Sequence, residues 1–73
     1  TISELAVKEN LEYLGNVGPA NIYGFNYIGD DRPQVGMIAS DVETWCPEAI
    51  KVKDGMRHVN YGAALDKALT FQS

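Results

Sequence analysis

Two periods of hydrophobic residues occur along the chain, and each period predicts a different kind of element. Near the amino terminus, Val7, Leu11 and Leu14 follow the i, i+4, i+7 spacing of an amphipathic helix. Gly15 then provides the residue type that most often ends a helix. We therefore predict a short helix over residues 4–14.

The segments that follow have the composition of turns and strands. Residues 15–20 are dense in turn-forming residues, so we predict a loop there. Residues 21–28 place an aromatic side chain at every second position over most of their length, which predicts a strand. After a turn at 29–33, residues 34–39 are nearly continuously apolar and predict a second, short strand in the centre of a sheet.

A short helix is predicted after these strands. Ser40 and Glu43 have the spacing of a capping box, in which the serine caps the helix and the glutamate bonds back to the serine amide. We expect Pro47 to end this helix, because proline lacks an amide donor and disfavours helix in the residue before it. Cys46 is expected to be a small core residue, since no basic residue near it in sequence would lower the thiol pKa.

The last third of the chain predicts a β-hairpin and a helix. Asp54 and Gly55 form a typical two-residue turn between short strands at 50–52 and 56–59. Asn60 is a good amino-terminal cap for the final helix, which carries an apolar face.

Together these elements predict one small α+β domain over residues 1–73, with an amino-terminal helix, mainly antiparallel strands, a short helix and a carboxy-terminal helix. A chain of 73 residues buries a smaller share of its surface than a larger domain does. Its single cysteine cannot form an intrachain disulfide. We therefore expect oligomerisation to add stability, although the alanine-rich last helix fits packing within one subunit equally well.

The charge pattern narrows the possible partners. Ten acidic and six basic residues give a net charge of −4, and the basic residues are scattered, which argues against nucleic-acid binding. No apolar run is long enough to span a membrane, and no motif predicts a metal, nucleotide or organic cofactor. The chain begins at Thr1 rather than at a methionine, so we expect it to be a fragment or a processed piece of a longer protein.

The candidate chemistry lies near the amino terminus, where Ser3 precedes Lys8 by five residues. A serine needs a base to become a nucleophile, and a lysine desolvated by apolar neighbours can be that base. Residues five apart on a helix lie on different faces, so this pairing requires Ser3 to lie in an extended segment before the helix. The alternative, which the spacing alone favours, is structural: Ser3 caps the helix, Thr1 and Glu4 form a capping box, and Lys8 is solvated.

Three blocks of residues, taken in order, form a family pattern. A Ser-Asp-x-x-x-Lys-x-Asn-Ile opening is matched by Ser3, Glu4, Lys8, Asn10 and Leu11. A Phe-x-Tyr strand, a Gly-Leu-Ile-Ala-Gln-Glu-Val run and a Pro-Glu-Ala-Val step are matched by residues 25–27, 36–42 and 47–50. An Asp-Gly turn and a Val-Asp-Tyr step are matched by residues 54–55 and 59–61. The blocks together resemble the peptidase S74 family, the intramolecular chaperone domains of endosialidases and other phage tail spikes and fibres.

The resemblance implies a carboxy-terminal domain of a trimeric viral tail fibre or spike, made in the host cytoplasm as part of a precursor. Such a domain forms a homotrimer, assists folding of the upstream stalk as its client, and releases itself by autoproteolysis. The family's serine-lysine dyad corresponds to Ser3 and Lys8, and it places the cleaved bond between Ile2 and Ser3. Asn10 would orient Lys8 or donate a hydrogen bond to the oxyanion.

Two other functions remain open at this point. The first is a trimerisation and folding cap that does not cleave itself; within the opening motif, Glu4 stands where the family has aspartate. A receptor-binding fibre tip would be favoured by an exposed aromatic patch of Tyr23, Tyr27 and Trp45. Core packing of these three side chains is the stronger expectation.

Overall fold

The fold combines two antiparallel β-sheets with two α-helices, which confirms the predicted α+β class. The computed structural model describes residues 1–71, and residues 72–73 of the predicted domain lie outside the described part. The strands are β1 Lys8–Val17, β2 Ala20–Tyr27, β3 Gln34–Gly36, β4 Ile50–Lys53 and β5 Met56–Val59. The helices are α1 Ala39–Trp45 and α2 Tyr61–Thr70, and short 3-10 turns lie at Leu5–Val7 and Pro47–Ala49.

The predicted amino-terminal helix is wrong, because strand β1 occupies most of the segment. Only the 3-10 turn Leu5–Val7 is helical, and β1 pairs antiparallel with β2 along nearly its whole length. β2 supplies hydrogen-bond partners for the β1 backbone, and this tertiary pairing outweighs a weak helical spacing. Leu11 and Leu14, which the predicted helix would have buried, are exposed.

The β1–β2 hairpin turns at Gly18 and Pro19, so the loop predicted over 15–20 is reduced to a two-residue turn. Gly15 does not end a helix, because it lies at one of two register shifts in the hairpin and has a φ of 142°. Asn10 lies at the other shift and has a left-handed φ of 57°. These irregularities interrupt the two-residue alternation that would have identified β1 as a strand.

The strand predicted over 21–28 is confirmed as β2, whereas the strand predicted over 34–39 is shorter than expected. β3 has three residues, and it is the edge of a sheet with the order β1-β2-β3 rather than its centre. Val35 in β3 is exposed, and Met37 and Ile38 are buried after the strand has ended. The apolar run is therefore divided between an edge strand and the chain that leads to α1.

Helix α1 forms where the sequence predicts it, but its predicted capping box does not form. The N-cap is Ile38, which has no side-chain cap, and Ser40 lies inside the helix. The Ala39 amide donates instead to the Ser3 carbonyl at 2.8 Å, so a neighbouring segment satisfies an amide of the first turn. The helix ends at Trp45, before Pro47, as predicted.

The second sheet is the predicted hairpin of β4 and β5. Asp54 and Gly55 have left-handed φ angles of 53° and 73°, which a type I′ turn requires. The first residues of the chain lie along β5, because the Ser3 amide donates to the carbonyl of Arg57 in that strand at 3.0 Å. This pairing holds the predicted cleavage site in an extended conformation.

The hydrophobic core lies among β2, α1, β5 and α2 and consists mainly of small side chains. Its buried members are Ala20, Met37, Ala39, Val42, Cys46, Ala49, Val59, Ala64 and Ala68. The core position of Cys46 is therefore confirmed, and so is the cap of α2, since Asn60 Oδ1 accepts a 3.0 Å hydrogen bond from the Ala63 amide. Small side chains remove little apolar area from water, and several larger apolar side chains of the described chain are exposed.

Candidate functional site

Ser3 and Lys8 are the two polar or charged residues that are buried within residues 1–71, with 0% and 6% of their surfaces exposed. A buried polar group costs free energy unless it is hydrogen-bonded, and a buried charge costs more. The solvated Lys8 of the structural alternative is therefore wrong. Ser3 also does not cap a helix, because the N-cap of the 3-10 turn is Glu4, without a side-chain hydrogen bond.

Ser3 is fixed by contacts on both its backbone and its side chain. Its amide bonds to β5 and its carbonyl accepts from Ala39, so both peptide groups around the residue are held. Its Oγ lies 2.9 Å from the hydroxyl oxygen of Tyr61, at the start of α2. A longer contact of 3.4 Å joins Ser3 Oγ to the Thr1 carbonyl. The serine hydroxyl group is thus held in one place without contact with water.

Lys8 is the first residue of β1 and lies directly opposite Tyr27 of β2. Its Nζ donates a 3.1 Å hydrogen bond to the Met37 carbonyl and lies 4.7 Å from the centroid of the Phe25 ring. Burial lowers the pKa of Lys8 from 10.5 to about 8, and the nearby Glu4 carboxylate opposes this shift. A lysine with this pKa provides a neutral amine, and therefore a base, in mildly alkaline solution.

Ser3 and Lys8 both bond to the segment 37–39 rather than to each other: Ser3 through the Ala39 amide, and Lys8 through the Met37 carbonyl. No hydrogen bond joins Ser3 Oγ to Lys8 Nζ in the described chain; the two atoms bond to Tyr61 and to Met37 instead. The Tyr61 hydroxyl group lies against Gly36, the residue before Met37. Direct proton transfer from Ser3 to Lys8 therefore requires the two side chains to move within hydrogen-bond distance of each other.

The carbonyl group of the predicted cleavage site has a partner of its own. The Tyr27 hydroxyl donates a 3.0 Å hydrogen bond to the Ile2 oxygen. Burial raises the pKa of Tyr27 above its usual value of 10.0, and the neighbouring Tyr61 adds to the increase. The Tyr27 hydroxyl group consequently keeps its proton and remains a donor over the whole physiological range of pH.

Asn10 lies away from these groups, on the exposed part of β1. Its side-chain amide donates a 2.7 Å hydrogen bond to Asn26 Oδ1 in the adjacent strand. The structure does not bring Asn10 together with Ser3 and Lys8, although the sequence motif contains all three. The Asn10–Asn26 contact instead joins the two strands at a register shift.

Glu4 anchors the chain directly after Ser3. Arg57 donates to both Glu4 carboxylate oxygens, at 2.6 and 2.9 Å, and its Nη1 donates to Glu43 of α1 at 2.9 Å. The hydrogen bonds from Arg57 lower the pKa of Glu4 from 4.5 to about 2. The segment on the carboxyl side of the Ile2–Ser3 bond is therefore tied to both β5 and α1.

The sequence motifs did not identify Tyr27 and Tyr61, whose hydroxyl groups contact the Ile2 oxygen and Ser3 Oγ. Tyr27 and Tyr61 both lie within the family pattern, in the Phe-x-Tyr strand and in the step into the last helix. Their place in this pattern was the one signal in the sequence that could have identified them. The contacts themselves span 25 and 58 residues of sequence and depend on how the two sheets pack.

The remaining features add no second site. Tyr23, Tyr27 and Trp45 are all half-buried, so the exposed aromatic patch that would favour a receptor-binding tip is not present. Residues 1–71 contain no group of three or more side chains placed to hold a metal ion. None of the helices described is long and apolar enough to cross a membrane.

Comparisons of the chain with protein-family models, with curated proteins and with solved structures gave no match. The geometry around Ser3 and the motif resemblance are therefore the two grounds for a functional proposal. They point to the same residues, Ser3 and Lys8, from independent observations: one is the order of residues in the sequence, and the other is burial in the fold.

Proposed function

We propose that the chain is a carboxy-terminal intramolecular chaperone of a phage tail spike or fibre, and that it releases itself by cleaving the Ile2–Ser3 bond. The burial of Ser3 together with Lys8 is the observation that carries this proposal. A merely structural serine and lysine at the start of a small domain would be expected to lie in water. Their burial costs stability, and catalysis is a reason to retain such a cost.

The proposed reaction uses the serine that directly follows the cleaved bond. Neutral Lys8 accepts the Ser3 Oγ proton as Oγ bonds to the Ile2 carbonyl carbon, and the carbonyl electron pair moves to the Ile2 oxygen. The carbon–nitrogen bond then breaks, and the Ser3 nitrogen takes the proton from Lys8. Water hydrolyses the resulting ester to an Ile2 carboxylate and restores the Ser3 hydroxyl group.

Proximity replaces substrate binding in this reaction, because the nucleophile and the bond belong to one extended segment. The backbone hydrogen bonds of Ser3 to Arg57 and Ala39 hold that segment in place. Lys8 Nζ must come within hydrogen-bond distance of Ser3 Oγ before it can act as the base. We propose that trimer assembly favours this approach, so that cleavage follows folding of the stalk and makes the folded stalk kinetically stable.

The exposed apolar side chains support the trimeric part of the proposal. Nine large hydrophobic residues are at least 37% exposed in the single chain. Five of these lie in the first sheet or directly after one of its strands: Leu11, Tyr13, Leu14, Ile28 and Val35. Leu14 and Val35 lie on either side of Gly24, and exposed apolar surface of this kind is typical of protein–protein interfaces. The upstream stalk is the proposed client, and a homotrimer is the proposed assembly.

The proposal is tested by the intact mass of this domain expressed with its natural upstream sequence. About fifty upstream residues, the size of a small domain, are enough to make the two cleavage products easy to distinguish. We expect this protein to split at Ile2–Ser3, and we expect Ser3→Ala and Lys8→Ala to stay whole. If all three proteins remain whole yet form trimers, the domain is a trimerisation and folding cap without peptidase activity. Circular dichroism of each variant separates loss of chemistry from loss of fold.

A further inference from the structure

The Ile2 carbonyl group is placed to receive a catalytic hydrogen bond. Ile2 forms an isolated antiparallel bridge with His58, and the flanking residues, not Ile2, make the backbone hydrogen bonds of that bridge. In such a pair the carbonyl group points away from the partner strand. Within residues 1–71 the Ile2 oxygen accepts one hydrogen bond, and the donor is the Tyr27 hydroxyl at 3.0 Å.

Tyr27 is held by neighbours that also position the proposed base. Its Cα lies opposite that of Lys8 in the β1–β2 ladder, so both side chains project from the same face of the sheet. The Phe25 ring packs edge-on against Tyr27, with 5.3 Å between ring centroids, and the Lys8 amine lies 4.7 Å from the same Phe25 ring. The same end of the β1–β2 hairpin therefore holds both Tyr27, the donor to the Ile2 carbonyl, and Lys8, the proposed base.

We propose that Tyr27 is a catalytic residue of the cleavage reaction, whose hydroxyl group stabilises the oxyanion formed on Ile2. This role rests on the proposed function. When Ser3 Oγ bonds to the Ile2 carbon, the carbonyl π electron pair moves to the Ile2 oxygen, and the Tyr27 hydroxyl donates to that oxygen without transferring its proton. The pair returns to the carbonyl as the carbon–nitrogen bond breaks, and the Ser3 nitrogen takes the proton held by Lys8.

A donor aimed at the oxygen where negative charge develops acts most strongly in a site without water. Tyr27 fits this requirement because it is partly buried and retains its proton, while its partner Ile2 is fixed along β5. The Ser3 hydroxyl is held separately by Tyr61, so nucleophile and carbonyl have different tyrosine partners. The arrangement assigns one hydroxyl group to each reacting atom.

The role is tested by the cleavage rate of Tyr27→Phe in the protein that carries its natural upstream sequence, measured as intact mass against time. Removing one oxyanion donor is expected to slow cleavage by about 100-fold. Tyr13→Phe is the matched control, since it removes a tyrosine hydroxyl that bonds to exposed Asn16 at 3.1 Å, outside the proposed site. Its cleavage rate should stay within about twofold of the unsubstituted rate, because surface changes have small effects.

A second measurement reports on the hydrogen bond itself and does not depend on turnover. In a Ser3→Ala background, a carbon-13 label at the Ile2 carbonyl should give an infrared band at higher frequency after Tyr27→Phe, because a hydrogen bond lowers a carbonyl frequency. Unchanged frequency, or a folded Tyr27→Phe protein that cleaves as fast as the Tyr13→Phe control, would overturn the role of Tyr27 alone. Absence of cleavage in the unsubstituted protein would overturn the proposed function and this role with it.

Discussion

Gly36 lies directly against the hydroxyl end of Tyr61, in the space that a side chain at position 36 would occupy. That hydroxyl group is also 2.9 Å from Ser3 Oγ, so the lack of a side chain allows Tyr61 to reach the serine. Substituting Gly36→Ala should displace the rigid ring and destabilise the fold by about 1–3 kcal/mol, as overpacking does. Cleavage at Ile2–Ser3 should also become slower.

Gly62→Ala is the control for this prediction, because Gly62 is exposed in α2 and lies away from the first sheet. A Cβ there would meet Asn60 Oδ1 at 3.5 Å, which is ordinary contact. Thermal unfolding and the cleavage time course of both variants are the measurements. Equal behaviour of the two alanine variants would show that the Gly36–Tyr61 contact does not position Ser3.

The pH dependence of cleavage should report the protonation of Lys8. With a Lys8 pKa of about 8, the fraction of neutral amine rises about tenfold per pH unit below that value and levels off above it. The cleavage rate constant is therefore expected to follow the same curve. Glu4 raises the Lys8 pKa, so Glu4→Gln should move the inflection to lower pH. A rate that does not change with pH across this range would exclude Lys8 as the base.

Burial of Lys8 should also appear in the stability of the protein. The folded-state pKa of about 8 lies below the usual lysine pKa of 10.5, so between these values the unfolded chain binds more protons than the folded chain. Stability from this residue consequently increases with pH, by about 2 kcal/mol from about pH 8 to about pH 10. Denaturant unfolding of the wild-type protein and of Lys8→Met, compared at each pH, measures it.

The comparison with Lys8→Met is necessary because other groups titrate in the same range. Burial raises the pKa values of Cys46 and Tyr27, and both shifts reduce stability as the pH rises past their usual values of 9.0 and 10.0. These contributions are shared by the two proteins and cancel in the difference. A difference that stays constant with pH would mean that Lys8 is charged and solvated in the folded protein.

How far the fold could be predicted depended on whether the determining interactions are local. The turn at Asp54 and Gly55 and the cap at Asn60 are set by residues within a few positions, and both were predicted correctly. Strand β1 is determined by pairing with β2, and its register shifts at Asn10 and Gly15 conceal the strand period. The helical spacing of Val7, Leu11 and Leu14 was therefore a misleading signal.

The candidate site likewise contains residues that the local sequence identifies and residues that only the packing of distant segments brings there. The Ser3 and Lys8 pair follows from a motif in eight residues of sequence, and its burial agrees with that prediction without testing the chemistry. The hydroxyl groups of Tyr27 and Tyr61 reach the site only through the packing of the two sheets and α2. Asn10 shows the opposite case, since a residue of the motif lies where its side chain bonds to Asn26.

The Glu4–Arg57 ion pair predicts a loss of stability in acid. Arg57 lowers the Glu4 pKa from 4.5 to about 2, so the stabilisation is complete above about 4.5 and is lost as the pH falls to about 2. Asp30 and Glu48 have similarly lowered pKa values and contribute in the same window. Between about pH 2 and 4.5 the free energy of unfolding of Glu4→Gln should therefore depend less on pH than that of the wild type. Some dependence should remain, because Asp30 and Glu48 still titrate.

The matched variant for this prediction is Asp30→Asn, which removes a pair with Arg32 on an exposed turn. Exposed pairs contribute little to stability, so its curve should differ less from the wild type than that of Glu4→Gln. A larger effect from Asp30→Asn than from Glu4→Gln would mean that Arg57 does not hold the segment after Ser3.

The proposed trimer predicts an interface on the first sheet. Leu14 and Val35 lie on either side of Gly24, and 52% and 65% of their surfaces are exposed in the single chain. The combined substitution Leu14→Ser and Val35→Ser should weaken assembly by at least about 100-fold, because each buried aliphatic side chain contributes about 1.5–3 kcal/mol. Sedimentation equilibrium over a range of protein concentrations measures the change.

Val52→Ser is the control for the interface, since Val52 is 66% exposed but lies in β4 of the other sheet. It should leave the trimer intact, whereas the double variant sediments as a monomer with an unchanged fold. Dissociation by Val52→Ser alone would place the contact on the second sheet. A wild-type chain that remains monomeric at every concentration would contradict the trimer, and it would leave the exposed leucine and valine side chains without the partner that their exposure predicts.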